Sequence, residues 1–165
     1  MAADSLEPAI GALLAQSGRS AAGVRVEPLA GGGNNRVMSV LSGEERLVAK
    51  WYWHDANDPR DRLGAEYAFL EHAWRIGLRC VPRPWACDAS AHLALYEFVE
   101  GEKLAPGSLN AGHVLDAAAF FAMLNSSGSR AAAVGLPEAS EACFSVAAHF
   151  RMVDARIDRL SGIVP

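Results

Sequence analysis

From Val24 to Val99, apart from the stretch Asp61 to Ile76, the chain is built of short apolar runs separated by turn-forming residues, whereas in that stretch and elsewhere apolar positions recur every three or four residues. The first pattern predicts strands and the second predicts helices. Leu6 to Gln16 has helical spacing, with Leu6, Ile10 and Leu13-Leu14 on one side and Ser17-Gly18 as a stop. Val24 to Leu29, Val37 to Leu41 and Arg46 to Tyr52 read as strands, the last two joined by the turn Ser42-Gly43-Glu44-Glu45. Connections this short cannot cross over to make parallel pairs, so a β-meander is expected.

Asp61 to Ile76 is the clearest helix, stopped by Gly77, and Val81-Pro82-Arg83-Pro84 forces an extended passage. Trp85 to Asp88 and His92 to Val99 then form a hairpin through Ala89-Ser90-Ala91. The expected class is therefore α+β, with about five antiparallel strands and one helix inserted after the third. After Glu100-Gly101 the sequence becomes alanine-rich and helical. Asn110 caps a helix to about Leu124, Ser126 to Gly135 reads as a loop, and a last helix runs from about Glu138 to Leu160. Its apolar stripe is Cys143, Val146, Phe150, Val153, Ile157 and Leu160. The chain thus divides into a sheet-rich part, 1–101, and a helical part, 102–165.

The 165 residues, 51% hydrophobic and 21% charged, are globular in composition, enough for one domain or for one lobe and part of another. A net charge of -4 gives no basic footprint for nucleic acid. Asp4 and Glu7 stand where a signal peptide would be cationic, and no apolar run has membrane-spanning length. A cytoplasmic protein with no membrane partner is expected. Cys80, Cys87 and Cys143 lack the paired spacing of a zinc site and read as buried free thiols.

Three residue groups can carry chemistry. Gly31, Gly32 and Gly33, without Cβ atoms, let a hairpin bring backbone N–H groups close to phosphate oxygens, and Asn34, Asn35 and Arg36 can add side-chain donors. A glycine hairpin with no ligand is the plain alternative. The run is neither a Walker A loop nor a dinucleotide fingerprint, because no Gly-Lys-Ser/Thr follows and Arg36 stands in place of the third glycine. Lys50 lies on a strand whose two faces, Val48/Lys50/Tyr52 and Leu47/Ala49/Trp51, are otherwise apolar. It either snorkels to water from an edge or serves as a point charge for phosphates.

Glu66 is spaced with Leu63 and Leu70 inside the apolar stripe of its helix, where an unpaired carboxylate is costly. Lys50 is the nearest partner in chain order; a rotated helix would instead take Glu66 to solvent near Arg62 or Arg75. Beyond these, the apolar strand Leu93 to Tyr96 runs into Glu97-Phe98-Val99-Glu100-Gly101. A hinge there could bond an adenine through the Glu97 carbonyl and the Val99 N–H, with Val48 above the ring. His72 lies on the helix from Asp61, His92 begins a strand, His113 and His149 lie on helices without a nearby acid at ligand spacing, and no Ser, His and Asp set assembles.

The segments GGGNNRVMSV, LVAK, RDRLGAEYAFLEHAWRIG, VPRP and LYEFVEGEKL, in that order between Val24 and Lys103, resemble the aminoglycoside phosphotransferase and choline kinase family. The resemblance implies a protein-kinase-like N-terminal lobe followed by an incomplete helical C-terminal lobe. It implies ATP, or another nucleoside triphosphate such as GTP, with Mg2+. Lys50 would bind the α and β phosphates, Glu66 would hold Lys50, Gly31 to Arg36 would cover the phosphates, and Glu97 to Gly101 would form the adenine hinge.

The sequence departs from the family in lacking a His-Gly-Asp catalytic loop, its downstream Asn and a metal-binding Asp. No catalytic or metal-holding residue is therefore assigned. The expected function is the nucleotide-binding half of a small-molecule phosphotransferase, inactive alone, a truncated form whose hydroxyl acceptor requires the missing lobe. The alternative is a pseudokinase-like binding or regulatory module. The apolar stripe of the last helix, without lower-lobe helices to cover it, implies self-association.

Overall fold

The computed structural model describes residues 6–29, 35–55, 58, 60–139 and 142–161. The fold is α+β, with a five-stranded antiparallel sheet and five helices among the described residues. In chain order the elements are α1 (Glu7–Gln16), β1 (Arg25–Pro28), β2 (Arg36–Ser42), β3 (Glu45–Trp51), α2 (Arg62–Arg75), β4 (Pro84–Asp88), β5 (Leu93–Glu97), α3 (Ala111–Leu124), α4 (Ser127–Ala132) and α5 (Val146–Leu160). The strands lie side by side as β1-β2-β3-β5-β4. The first three form the expected meander, and the β4–β5 hairpin joins it through β5, placing the strand after the inserted helix at the edge.

Alternation along each strand gives the sheet two different faces. Met38, Val40, Leu47, Ala49, Leu93 and Leu95 form one face and pack with Leu6, Ile10, Leu13 and Leu14 of α1 into the larger core cluster. Val48, Tyr52, Ala94 and Tyr96 form the opposite face and pack with Leu63 and Leu70 of α2. Helices α1 and α2 therefore sandwich the sheet. Helix α2 lies over β4 and β5. The same face of β1 and β2 carries no helix among the described contacts, and it presents Arg25, Glu27, Val37, Ser39 and Leu41 beside Val48 and Lys50.

Local chemistry fixes the ends of these elements. Asp61 caps α2 by accepting the Gly64 N–H at 2.8 Å. At its other end Gly77 adopts φ 90°, the Gly77 N–H donates to the Trp74 carbonyl at 3.1 Å, and the Leu78 N–H reaches the Ala73 carbonyl at 2.9 Å. This is a Schellman closure, with Leu78 buried as its hydrophobic contact. In the β4–β5 turn Asp88 Oδ1 accepts the backbone N–H groups of Ser90 and Ala91. His92 follows at φ 51° and stacks on His54 with ring centroids 4.5 Å apart.

The helical part differs from the expectation in two places. Ser126 to Gly135 contains helix α4, because Ser126 caps it by accepting the Ser129 N–H at 3.2 Å. The last helix begins at Val146 rather than Glu138, capped by Ser145, which accepts the Ala148 N–H at 3.1 Å; Cys143 consequently lies outside it. Neither α3 nor α5 contains a buried residue, and Phe121, Phe150, Ile157 and Leu160 are exposed. The three cysteines are free, but they are not buried: Cys80 is exposed, and Cys87 and Cys143 are partly covered.

Candidate functional site

Strand β3 carries Lys50 on the α2 side of the sheet, opposite Val37 of β2 and Ala94 of β5. Ala94 is fully buried, and its small side chain leaves room beside the lysine stem. The ammonium then meets Glu66 of α2, with Nζ donating to Oε1 at 2.7 Å and to Oε2 at 2.6 Å. Lys50 is 21% exposed at its side chain and Glu66 38%, so the pair is partly dry. Glu66 is half-buried on the same arc of α2 as the buried Leu63, Leu70 and Ala73.

Two tyrosines complete the surroundings of the ammonium. Tyr52, two residues after Lys50 on the same face, places its ring 4.7 Å from Nζ, a cation–π contact. Its hydroxyl is 2.7 Å from that of Tyr96 on β5. Burial, the Tyr96 hydroxyl and the negative charge of Glu66 push the Tyr52 phenol far above its ordinary pKa. Tyr96 is raised by burial and by Glu66, against a lowering contribution from its bond to Tyr52. Both rings stay neutral, and the local charge resides on Lys50 and Glu66.

An ammonium has three N–H donors and here directs two of them at Glu66, which leaves one for a further anionic oxygen. One cleft adjoins Glu66, and a second opens near the start of α2 without touching either member of the pair. A cleft of about 1070 Å³ separates Glu66 and Phe69 from Pro137 and Glu138. A second, of about 400 Å³, is lined by Tyr52, Trp53, Arg62 and His92. Arg62 and Arg60 both bond Asp58, at 2.7 and 2.6 Å, and hold its carboxyl well below the usual range.

Of the residues expected at the site, the structure unites Val48, Lys50 and Glu66. Gly31, Gly32, Gly33 and Asn34 lie outside the described residues. Asn35 Oδ1 accepts the Trp53 N–H at 3.2 Å, and the Arg36 guanidinium lies 5.7 Å from the Trp51 ring. Both side chains therefore engage the end of β3. Glu97 ends β5, donates its N–H to the Arg83 carbonyl at 2.8 Å and accepts the Arg83 N–H on Oε2 at 3.0 Å. Val99 follows, 57% exposed.

Sequence reasoning gave no role to Tyr52, Tyr96 or Arg46. For Tyr52 the signal was available, two residues from Lys50 on one face; for Tyr96 it depends on strand register. His113 has a structural task, since its Nδ1 accepts the Asn110 N–H at 3.2 Å in the capping box of α3.

No family model and no curated protein matches the chain. Among the described residues, no helix is long and apolar enough to cross a membrane, and no group of three His, Cys, Asp or Glu side chains is placed to hold a metal ion.

Proposed function

We propose that this chain is the nucleotide-binding half of a small-molecule phosphotransferase of the aminoglycoside phosphotransferase and choline kinase type, working in the cytoplasm. The observation that carries the reading is the Lys50–Glu66 pair at 2.6 to 2.7 Å, made between the third strand of a meander and the helix inserted after it. A strand lysine whose position is fixed by a helix carboxylate is a pre-aimed point charge, and phosphoryl transfer depends mostly on such positioning.

In this reading the free donor of the Lys50 ammonium takes an α or β phosphate oxygen, while Glu66 keeps the lysine extended. Val37, half-buried on the part of the face that α2 leaves open, and Val48, half-buried at the margin of the α2-covered part, cover the ribose and base. The backbone from Glu97 to Val99 takes the base edge. Lys50 lies three positions along the strand from Leu47, the partner of Glu97, or roughly 10 Å at about 3.3 Å per residue. The phosphate and base ends thus lie along one strand.

Among the described residues no group of three His, Cys, Asp or Glu side chains is placed to hold magnesium, and no step is routed through the metal. With no His-Gly-Asp loop in the sequence, the base that would accept the acceptor's proton is not among these residues, and the chain by itself turns over little or no substrate.

Calorimetric titration with ADP tests the reading. Wild type binds, and Lys50→Ala weakens binding at least tenfold, the effect of losing one charge-assisted bond of about 1.5 to 3 kcal/mol. Absence of binding by wild type would refute the nucleotide site and leave a scaffold or regulatory module.

A further inference from the structure

The geometry points to Arg46 as the positioning residue that fixes the base-facing segment of the nucleotide site, an inference that rests on the function proposed above. Arg46 is the second residue of β3, at the end of the strand away from Lys50. Its guanidinium joins three parts of the chain. Nε donates to Ser39 Oγ of β2 at 3.1 Å, and Ser39 is itself buried. The guanidinium carbon lies 3.8 Å from the centre of the Phe98 ring. Nη1 stands 3.5 Å from Glu100 Oε1.

Phe98 and Glu100 are the residues just after β5, on either side of Val99. Beyond Glu97 the ladder with β3 has ended, so side chains must hold this stretch. The stack and the ion pair hold the two neighbours of Val99 to one group, and Ser39 anchors that group to the sheet. As a lone surface ion pair the contact to Glu100, itself highly exposed, would hold little. A planar guanidinium stacked on one residue, bonded to a second and paired with a third is a clamp with a defined orientation, which an ammonium cannot reproduce.

A cavity of about 280 Å³ opens against the same side chain, lined by Arg25, Glu27, Ser39, Leu41 and Arg46. It lies on the sheet face shared by Val48 and Lys50. Arg46 therefore touches both the open face and the segment bordering it. Its action on a ligand passes through Phe98, Val99 and Glu100, and the phosphate end at Lys50 is independent of it.

Two measurements on the 165-residue protein test this. The first is 15N relaxation of residues 98–101 in the free protein for wild type, Arg46→Ala and Arg46→Lys. Backbone order parameters near 0.85 in wild type should fall toward about 0.6 in both variants, with β3 unchanged. The second is calorimetric titration with ADP and with tripolyphosphate. Arg46→Ala should weaken ADP about tenfold and leave tripolyphosphate within twofold; Arg46→Lys should resemble Arg46→Ala. If wild type binds ADP but Arg46→Ala matches it in order parameters and affinity, the role of Arg46 is overturned alone. Equal weakening of both ligands would also overturn it, because a general loss of structure would then explain the effect. If wild type binds neither ligand, the nucleotide reading itself fails and the positioning role falls with it.

Discussion

The Lys50–Glu66 pair can be measured by a double-mutant cycle made of Lys50→Met, Glu66→Gln and the two combined. Breaking a buried pair costs about 3 to 5 kcal/mol, and an exposed pair is worth about 0 to 1 kcal/mol. With side chains 21% and 38% exposed and both carboxylate oxygens bonded, this pair falls between those limits. After discounting for water at Glu66, a coupling energy of about 1 to 2 kcal/mol is expected. The single changes should be unequal. Glu66→Gln strips the less exposed partner of its counter-charge, leaving an amide carbonyl and the Tyr52 ring at 4.7 Å as compensation, and should cost more than Lys50→Met, which leaves a carboxylate that water can reach. Urea unfolding followed by tryptophan fluorescence reads all four proteins at low and high salt. A coupling below about 0.5 kcal/mol, within the ordinary error of additivity, would refute the claim that the pair is partly dry and fixed.

Tyrosine ionisation should be delayed: Tyr52 and Tyr96 are held well above their ordinary value, and burial followed by the charges at Cys87 and Glu71 raises Tyr67 to about 12. A raised folded pKa gives stability that is intact below the unfolded value near 10 and is lost as pH rises toward the folded one, so absorbance at 295 nm should stay flat past pH ~10 and then rise with unfolding. Burial, then the charges of Glu71, Asp88 and Asp61, raise the Cys87 thiol, so a maleimide at neutral pH should label exposed Cys80 well before Cys87; equal rates, read by peptide mass spectrometry, would contradict this. The exposed Phe150, Ile157 and Leu160 of α5 should drive self-association in sedimentation velocity, which Ile157→Glu abolishes; a concentration-independent monomer in wild type would oppose it.

Much of the sheet was legible because turn residues bracket each apolar run, and every expected strand agrees with the structure to within two residues. The order β1-β2-β3-β5-β4 carries a non-local pairing that periodicity does not encode: β3 meets β5 across the whole of α2. Residues that depend on that pairing were therefore hidden, Tyr96 beside Tyr52 and Arg46 beside Phe98 among them. Lys50 and Glu66 were visible because each breaks an apolar pattern locally, and an isolated charge raises the question of its partner. Helix α4 escaped notice because Ser127 to Ala132 has no apolar period; Ser126, able to accept the Ser129 N–H, was the available signal. Ser145 was the corresponding mark for α5, and the stretch before it has helical composition without a cap at Glu138.

Ala94 gives the sheet an adjustable dimension. It is fully buried directly across from Lys50, between Leu93 and Leu95 that face the other core. A larger side chain there cannot relax into α1, since the sheet lies between, and must press on the lysine stem or lift α2. The volume at position 94 thus meters the reach of the ammonium: a graded series from glycine through alanine to valine would shift the spacing between cation and helix in fractions of an ångström while leaving the charges themselves untouched.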